Sequence, residues 1–348
     1  CINQHFCAII LIMKAAVIGA SGYAGSEVLR LAATHPELEV VVATGDSASG
    51  RLVREHTPAL GVSYPDLRYS ALADIEMDSF EVAFIALPHG ASQGIVPQLL
   101  EHGVMVVDLG ADFRLTSAQD YHAWYGEAHQ APGLLGTATY GLVERHREEL
   151  RGSRFIAVPG CYPTATSLAL GPFIDRALTD GPYVVNALSG VSGAGRTPSD
   201  RLHFPRLAGN AEAYGLTGHR HTIEMQQELG VELLFTPHLV PVSRGMLVTA
   251  YARTVDSLST TQAMELLRSS YSSDSCVVVV EEPPTLKDPL GSNLCCVSVR
   301  VDPRTGWLIA MSSLDNLVKG AAGQAIQAWN VAMGHAETLG LPMSGLTP

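Results

Sequence analysis

Basic residues are scarce: 22 Lys and Arg stand against 34 Asp and Glu, a formal net charge of −12. Nucleic acid and anionic membrane surfaces select clustered cations, so this balance argues against both as partners. An anionic small molecule must then be held by a local cation or by backbone amides. Paired cysteines are also missing. Six cysteines occur, at 1, 7, 161, 276, 295 and 296, without a CxxC or the Cys/His spacing of a structural zinc site. This argues against a disulfide framework and for a reducing, cytoplasmic setting. Cys295 and Cys296 fall in the apolar run Leu294 to Val299 and read as buried strand residues. No membrane span is expected, because Phe6 to Met13 falls far short of the ~20 apolar residues that cross a bilayer. That stretch also lacks a basic n-region and a small-residue cleavage site. Residues 1–12, ahead of Met13-Lys14, read as an N-terminal extension. Internal repeats and low-complexity segments are absent.

What is present points to an α/β chain. Its 348 residues, 47% of them hydrophobic, suffice for two cores. From Lys14 short apolar runs such as AAVIGA, LEVVVAT, VAFIALP and VMVVDL alternate with helical stretches. Near-continuous apolar strands separated by helices predict a Rossmann-type, doubly wound parallel sheet over residues 13–160. Beyond Cys161 the runs YVVNALSGVSG, VELLFTPHLVPV, MLVTAYART and LCCVSVRV predict a mixed α+β catalytic domain over 161–315. Leu317, Ala321, Ala325, Ala328 and Trp329 recur at mostly helical spacing, so a helix within 316–340 is expected to pack back on the first domain.

Two loops of the first domain invite a ligand. Strand AAVI runs into Gly19-Ala20-Ser21-Gly22-Tyr23-Ala24-Gly25 and then a helix, the order in which glycines and helix amides cradle a pyrophosphate. The spacing G-x-x-G-x-x-G is weak as a bare pattern; the strand-loop-helix context strengthens it. A second loop, Ala86-Leu87-Pro88-His89-Gly90-Ala91-Ser92, follows VAFIA at the carboxyl edge of the same sheet, and a plain strand-to-helix turn is the alternative reading. The second strand ends in neutral Thr44-Gly45, followed by Ser47, Ser49 and Arg51, which can donate to a 2′-phosphate. Asp46 is contrary, unless its carboxylate turns to solvent or to a loop amide.

In the second half, Cys161 follows the apolar strand FIAVPG, and Pro163 suits the first turn of a helix through Leu170. A helix N-terminus favours the thiolate that attacks a carbonyl carbon; a small buried hydrophobe is the alternative. His219-Arg220-His221-Thr222 places His221 at the mouth of a helix that Thr222 can cap and Gly230 can stop. Such an imidazole can serve a cysteine nucleophile or be merely structural. The glycine-rich run Ser189 to Arg196, Arg220 and Arg244 can each bind an anion or pair on the surface.

Several collinear segments together resemble N-acetyl-γ-glutamyl-phosphate reductases: GASGYAGSE (19–27), ALPHGAS (86–92), DLGADFRL (108–115), YGLVE (140–144), PGCYPTA (159–165), SGVSGAGR (189–196), HRHTIE (219–224) and DNLVKGAAGQAIQ (315–327). The resemblance implies kinship with aspartate-semialdehyde dehydrogenases, NADP as cofactor, Cys161 as nucleophile and His221 as its acid/base, with His219 the second choice. It implies a cofactor site of Gly19, Ser21, Gly22, Tyr23, Ala24, Ser47, Arg51, Leu87, Pro88, Ser192, Gly193 and Asn316. It implies a substrate site of Arg114, Ser189, His219, Arg220, Glu224 and Arg244, an acyl-phosphate substrate and a homo-oligomer. The family's HTPEI reads His221-Thr222-Ile223-Glu224-Met225 here, without the proline. A carrier-linked aminoadipyl-phosphate reductase and a non-catalytic dinucleotide sensor are the competing readings; the first needs a basic docking rim, the second loses its motive if Cys161 and His221 work.

Overall fold

A computed structural model describes residues 12–346, so all but the last residue of the expected extension lies outside the described part. Seven strands, β1 (Met13–Ile18), β2 (Leu38–Thr44), β3 (Tyr69–Ser70), β4 (Val82–Ile85), β5 (Met105–Asp108), β6 (Thr139–Tyr140) and β7 (Phe155–Ala157), form one sheet. Their order is β3-β2-β1-β4-β5-β7-β6, with every pairing parallel. Alternate residues feed two cores: Ala15, Val17, Val82 and Phe84 on one face, Ala16, Ile18, Ala83 and Ile85 on the other. Burial on both faces is why these strands read as unbroken apolar runs.

The order reverses between β1 and β4, and there the carboxyl ends of the strands splay to leave a crevice. Gly19 makes the turn out of β1 at φ +83°, and a Cβ on it would sit 2.5 Å from the Ala86 carbonyl oxygen. Both facts demand glycine, and the second brings the 19–25 and 86–92 loops side by side. A helix, Tyr23–Ala32, follows at once.

Strands β8 (Thr179–Gly190), β9 (Glu212–Ala213), β10 (Leu233–Val240), β11 (Met246–Thr254), β12 (Val277–Val279), β13 (Cys295–Asp302) and β14 (Trp307–Leu314) build a second, mixed sheet ordered β12-β13-β14-β11-β8-β10-β9. Val185, Ala187, Val248, Ala250, Val299 and Ala310 of its inner face pack against the helix Cys161–Ile174. The outer face carries half-buried Val184, Leu188, Leu247, Tyr251, Ile309 and Met311 and an exposed Leu234, which join no packed cluster among the described residues. Cys295 and Cys296 are buried in β13.

The C-terminal segment is not one continuous helix. A π-helical turn, Val318–Ala322, precedes the α-helix Gly323–Met333. Asp315 Oδ1 takes the amides of Leu317 and Val318, and the amides of Gly320 and Ala322 then reach back five residues to Asp315 and Leu317. Val318, Ala322, Ala325, Ile326 and Trp329 enter the same core as Ala15 and Val17, so the chain's end packs on the first sheet. A fully buried Lys319–Glu144 pair at 2.6 Å, with Gln327 bonded to both groups, ties that segment to the first half. Each charge holds the other ionised against its own desolvation: the carboxyl is pulled down and the ammonium pushed up.

Candidate active site

A cavity of about 980 Å³ runs from the end of β2, across the 19–24 loop and past Ala86-Leu87-Pro88, to Cys161 and His221. Ser192, Gly193, Asn316 and Gly320 close it from the second half. Gly19, Ser21, Gly22, Tyr23, Ala24, Ser47, Leu87, Pro88, Ser192, Gly193 and Asn316 all line it, as does Arg114. Asn316 spans the junction: Oδ1 accepts from the Gly245 amide at 2.8 Å, and Nδ2 donates to Ser192 Oγ at 2.9 Å.

At the far end of this cavity the arginine differs from the expected one. Arg51 is exposed, does not line the cavity, and directs its guanidinium to the Glu55 carbonyl at 3.5 Å. Its place is taken by Arg196, which lines the cavity with Asp46, Ser47 and His56 and donates to the Ser21 carbonyl at 3.0 Å and to His56. The glycine-rich turn after β8 swings Arg196 across, a reach that chain spacing does not announce. Asp46 Oδ1 accepts from the Leu72 amide at 3.0 Å, so one oxygen is engaged by a loop.

Cys161 opens the helix Cys161–Ile174, with Gly160 in extended conformation before it. The helix therefore begins at the cysteine itself, one step earlier than expected. Arg114 and Glu224 hold the Val158-Pro159-Gly160 approach. Arg114 Nε donates to the Val158 carbonyl at 2.8 Å, and the Gly160 amide donates to Glu224 Oε1 at 2.8 Å. The two side chains pair at 3.2 Å, and the Tyr140 hydroxyl adds a donor to Glu224 Oε1 at 2.8 Å. Glu224, expected among the substrate-site residues, is fully buried and lines neither cavity; it holds the loop before Cys161 instead. A Cβ on Gly160 would meet the His221 ring at 2.6 Å and Arg114 Nη1 at 2.9 Å, which shows how tightly base and cation close on this loop.

His221 is the first residue of the helix His221–Leu229; Thr222 lies inside its first turn and provides no side-chain cap, whereas Gly230 does end it in a left-handed conformation. His221 Nε2 lies 3.4 Å from Arg114 Nη1. Arginine can only donate, so this nitrogen carries the lone pair. Burial, then His219, Arg114 and Arg220, push the His221 pKa well down, while burial pushes the Cys161 thiol up to about 11 despite the pull of Arg114. Both directions favour thiol and neutral imidazole over the ion pair. Desolvation thus opposes the thiolate that a helix N-terminus favours.

A second cavity, about 540 Å³, adjoins at Cys161 and His221 and is lined by Ser189, His219 and Arg220 among others. His219 Nδ1 accepts the His221 amide at 3.1 Å, which leaves His219 in a supporting position. Arg220 leans over the Tyr125 ring at 5.5 Å. Arg244 lines neither cavity; it clasps Glu27 at 2.8 Å and approaches Asp315 at 3.7 Å, a link between the two halves in place of the expected substrate contact.

Comparison with known proteins agrees with this arrangement. Residues 14–153 match the family described as semialdehyde dehydrogenase, NAD binding domain, and residues 161–316 that described as semialdehyde dehydrogenase, dimerisation domain. N-acetyl-γ-glutamyl-phosphate reductase of Acidithiobacillus ferrooxidans is 41% identical over 345 residues, covering 97% of this chain and all of that one. The chain belongs to the N-acetyl-γ-glutamyl-phosphate reductase family. The family member of Symbiobacterium thermophilum is 42% identical, over 96% of this chain and 98% of its own. Among solved structures, aspartate semialdehyde dehydrogenase II of Vibrio cholerae superposes with a TM-score of 0.70 at 18% identity, over 92% of this chain and 98% of that one. The Candida albicans aspartate semialdehyde dehydrogenase, solved with NADP, gives 0.67 at 18% identity, over 94% and 99%. These two relate the reductase family to that fold.

Proposed function

We infer that the chain reduces N-acetyl-γ-glutamyl phosphate to N-acetyl-glutamate 5-semialdehyde with NADPH, releasing phosphate, in arginine biosynthesis. The observation that carries this is the opening of Cys161 and His221 into the same cavity as the glycine loop, in a chain of this family.

Gly19, Ser21, Gly22 and Leu87, with amides at the start of the helix Tyr23–Ala32, suit a dinucleotide pyrophosphate, and Arg196 with Ser47 suits a 2′-phosphate. NADPH bound there supplies hydride to the carbon attached to Cys161. Cys161 Sγ bonds to the γ-carbonyl carbon as its proton passes to His221, and the carbon–oxygen bond to phosphate breaks to leave a thioester. Because the thiol is protonated at rest, proton transfer accompanies attack. After reduction, His221 returns the proton as the carbon–sulfur bond breaks and the aldehyde leaves. Arg114, beside both, offsets charge on the carbonyl oxygen.

The working division is a cofactor domain, 13–160 completed by 316–340, and a catalytic domain, 161–315. The open apolar face of the second sheet suits a homodimer, in line with the dimerisation-domain match. Reversal of Leu247 to Arg should yield monomers in light scattering. A cytoplasmic location goes with this reaction; among the described residues no helix is long and apolar enough to cross a membrane.

The deciding experiment is phosphate-dependent reduction of NADP with N-acetyl-glutamate semialdehyde, run beside the unacetylated semialdehyde. Turnover with the acetylated compound is expected. Absence of turnover by reduced, folded protein refutes the reading.

A further inference from the structure

Arg201, on the loop between β8 and β9, has no role in anything above. Its Nε and Nη2 are buried without a hydrogen-bond partner. The nearest carboxylate, Glu212 Oε1, stands 3.7 Å away, outside hydrogen-bond range, and the guanidinium carbon lies 4.8 Å over the Tyr214 ring. Nε and Nη2 form one edge of the guanidinium, two parallel donors spaced to take both oxygens of a carboxylate. Arg201 is about a third exposed and meets Glu212 only at 3.7 Å, so this edge keeps its two donors for an anion that can reach hydrogen-bond distance.

Arg201 lines the second cavity. Arg220 lines it too, whereas no Asp or Glu does, in a chain whose net charge is −12. Cys161 and His221 lie where the two cavities join, and Arg114 lines only the cofactor cavity. Arg201 lines only the second, and so sits on the side away from the nicotinamide end. The Tyr162 hydroxyl, 2.9 Å from that of Tyr214, and the Ser189 side chain offer the neutral polar surface that an amide needs.

We propose that Arg201 is a specificity-determining residue that binds the α-carboxylate of the acyl-phosphate substrate through its Nε–Nη2 edge. This rests on the reaction inferred above. With the reacting carbonyl at Cys161, the α-carbon lies along the second cavity, and its carboxylate is the planar anion that a guanidinium edge fits. The phosphate, joined to the reacting carbon, stays near Cys161 and Arg114.

The test uses the full-length protein in the oxidative direction, where semialdehyde and inorganic phosphate are separate substrates. Arg201→Ala should raise KM for N-acetyl-glutamate semialdehyde about 10- to 100-fold, the range for a lost charged hydrogen-bond pair. KM for phosphate and NADP binding by fluorescence should hold, and Arg201→Lys should recover part of the loss. The α-carboxamide of the semialdehyde should be a poor substrate of the parent and lose its disadvantage in Arg201→Ala. A rise in KM for phosphate instead assigns the anion wrongly and overturns the proposal. So does an unchanged KM for semialdehyde in either variant; if Arg201→Ala fails to bind NADP, Arg201→Lys decides. A parent without turnover refutes the reaction itself, a separate result from a parent that turns over and an Arg201 variant that matches it.

Discussion

The cofactor end of the cleft presents mostly main chain and small residues: Gly19, Gly22, Ala24, Ala86 and Gly193. The substrate end presents long side chains: Arg114, Cys161, His221 and, in the adjoining cavity, Arg201 and Arg220. A main-chain cradle works through shape and amides, so it fails when a Cβ intrudes and tolerates most other changes. A side-chain centre works through individual groups held by partners, so it fails group by group. The larger losses should therefore come from the substrate end, as losses of kcat, and the smaller ones from the cofactor end, as changes in KM for NADPH.

The largest expected effect is Cys161→Ser. Turnover should fall by more than ~10³-fold, because an alcohol cannot replace the thiol as nucleophile. NADPH titration by fluorescence should be unaltered, and residual activity within tenfold of the parent takes Cys161 out of the reaction. His221→Asn should come next, at ~10²–10⁴-fold in kcat, the usual range for a general acid/base. An equal loss in His219→Asn, with His221→Asn near the parent, would transfer the role.

That contrast also explains what could be read from the chain alone. The parallel sheet, the Gly19 turn and the Cys161 helix are local: each follows from apolar runs, glycine spacing or a strand-to-helix change within a dozen residues. The partners that hold Cys161 are not. Glu224 holds the Gly160 amide and is itself held by Tyr140 and Arg114, which are remote from it in sequence, and only the fold brings them together. Arg51 was the natural cation for the cofactor's far end because it follows β2; Arg196, 175 residues beyond Ser21, arrives from the other domain. Arg244 looked free because Glu27 and Asp315 are remote in sequence. Thiol acidity divides in the same way: the helix position that favours the thiolate is local, whereas the burial that opposes it belongs to the folded whole.

A matched pair of glycine substitutions cuts along the comparison. Gly160→Ala drives a Cβ into His221 and Arg114 and should lower kcat by about tenfold or more with KM for NADPH little changed. Gly19→Ala meets the Ala86 carbonyl at a positive φ and should chiefly raise KM for NADPH. Steady-state kinetics that reverse the two signatures would dissolve the distinction between the limbs. A smaller shift is expected from Arg196→Ala: the ratio of kcat/KM for NADPH over NADH should drop by roughly tenfold, about 1.4 kcal/mol. Arg51→Ala should leave that ratio within about twofold, and the reverse ranking restores Arg51 to the site.

The smallest catalytic effect should come where the two limbs are joined. Ser92 Oγ lies 2.9 Å from Asp108 Oδ2 and 2.8 Å from Asp112 Oδ2, linking the 86–92 loop to the segment that carries Arg114. A hydroxyl has one hydrogen, so both contacts are hydrogen bonds only if one carboxyl is protonated. Asp112 already accepts from the amides of Gly90 and Ser92 and from the Tyr121 hydroxyl, with His89 Nδ1 2.9 Å away. Asp108 takes only the Gly110 amide besides, and burial pushes its pKa up to about 6 against the pull of Gly110, Ser92 and the more distant Arg114. Asp108 is therefore the group that holds a proton below about pH 6. Between its ordinary value of 3.8 and about 6 the folded state binds the extra proton, so stability falls as pH rises through that window, by an amount on the order of 3 kcal/mol. Asp108→Asn reproduces the protonated form, with an amide to donate to Ser92 and an oxygen to accept from Gly110. Its Tm at pH 7.5 should equal or exceed the parent's, its Tm should decline less from pH 4.5 to 6.5, and kcat should stay within a few-fold. Asp112→Asn turns an amide toward donors and should lower Tm throughout. Thermal melts across that range decide: an Asp108→Asn protein whose Tm declines from pH 4.5 to 6.5 as steeply as the parent's would mean that Asp108 does not take up the proton.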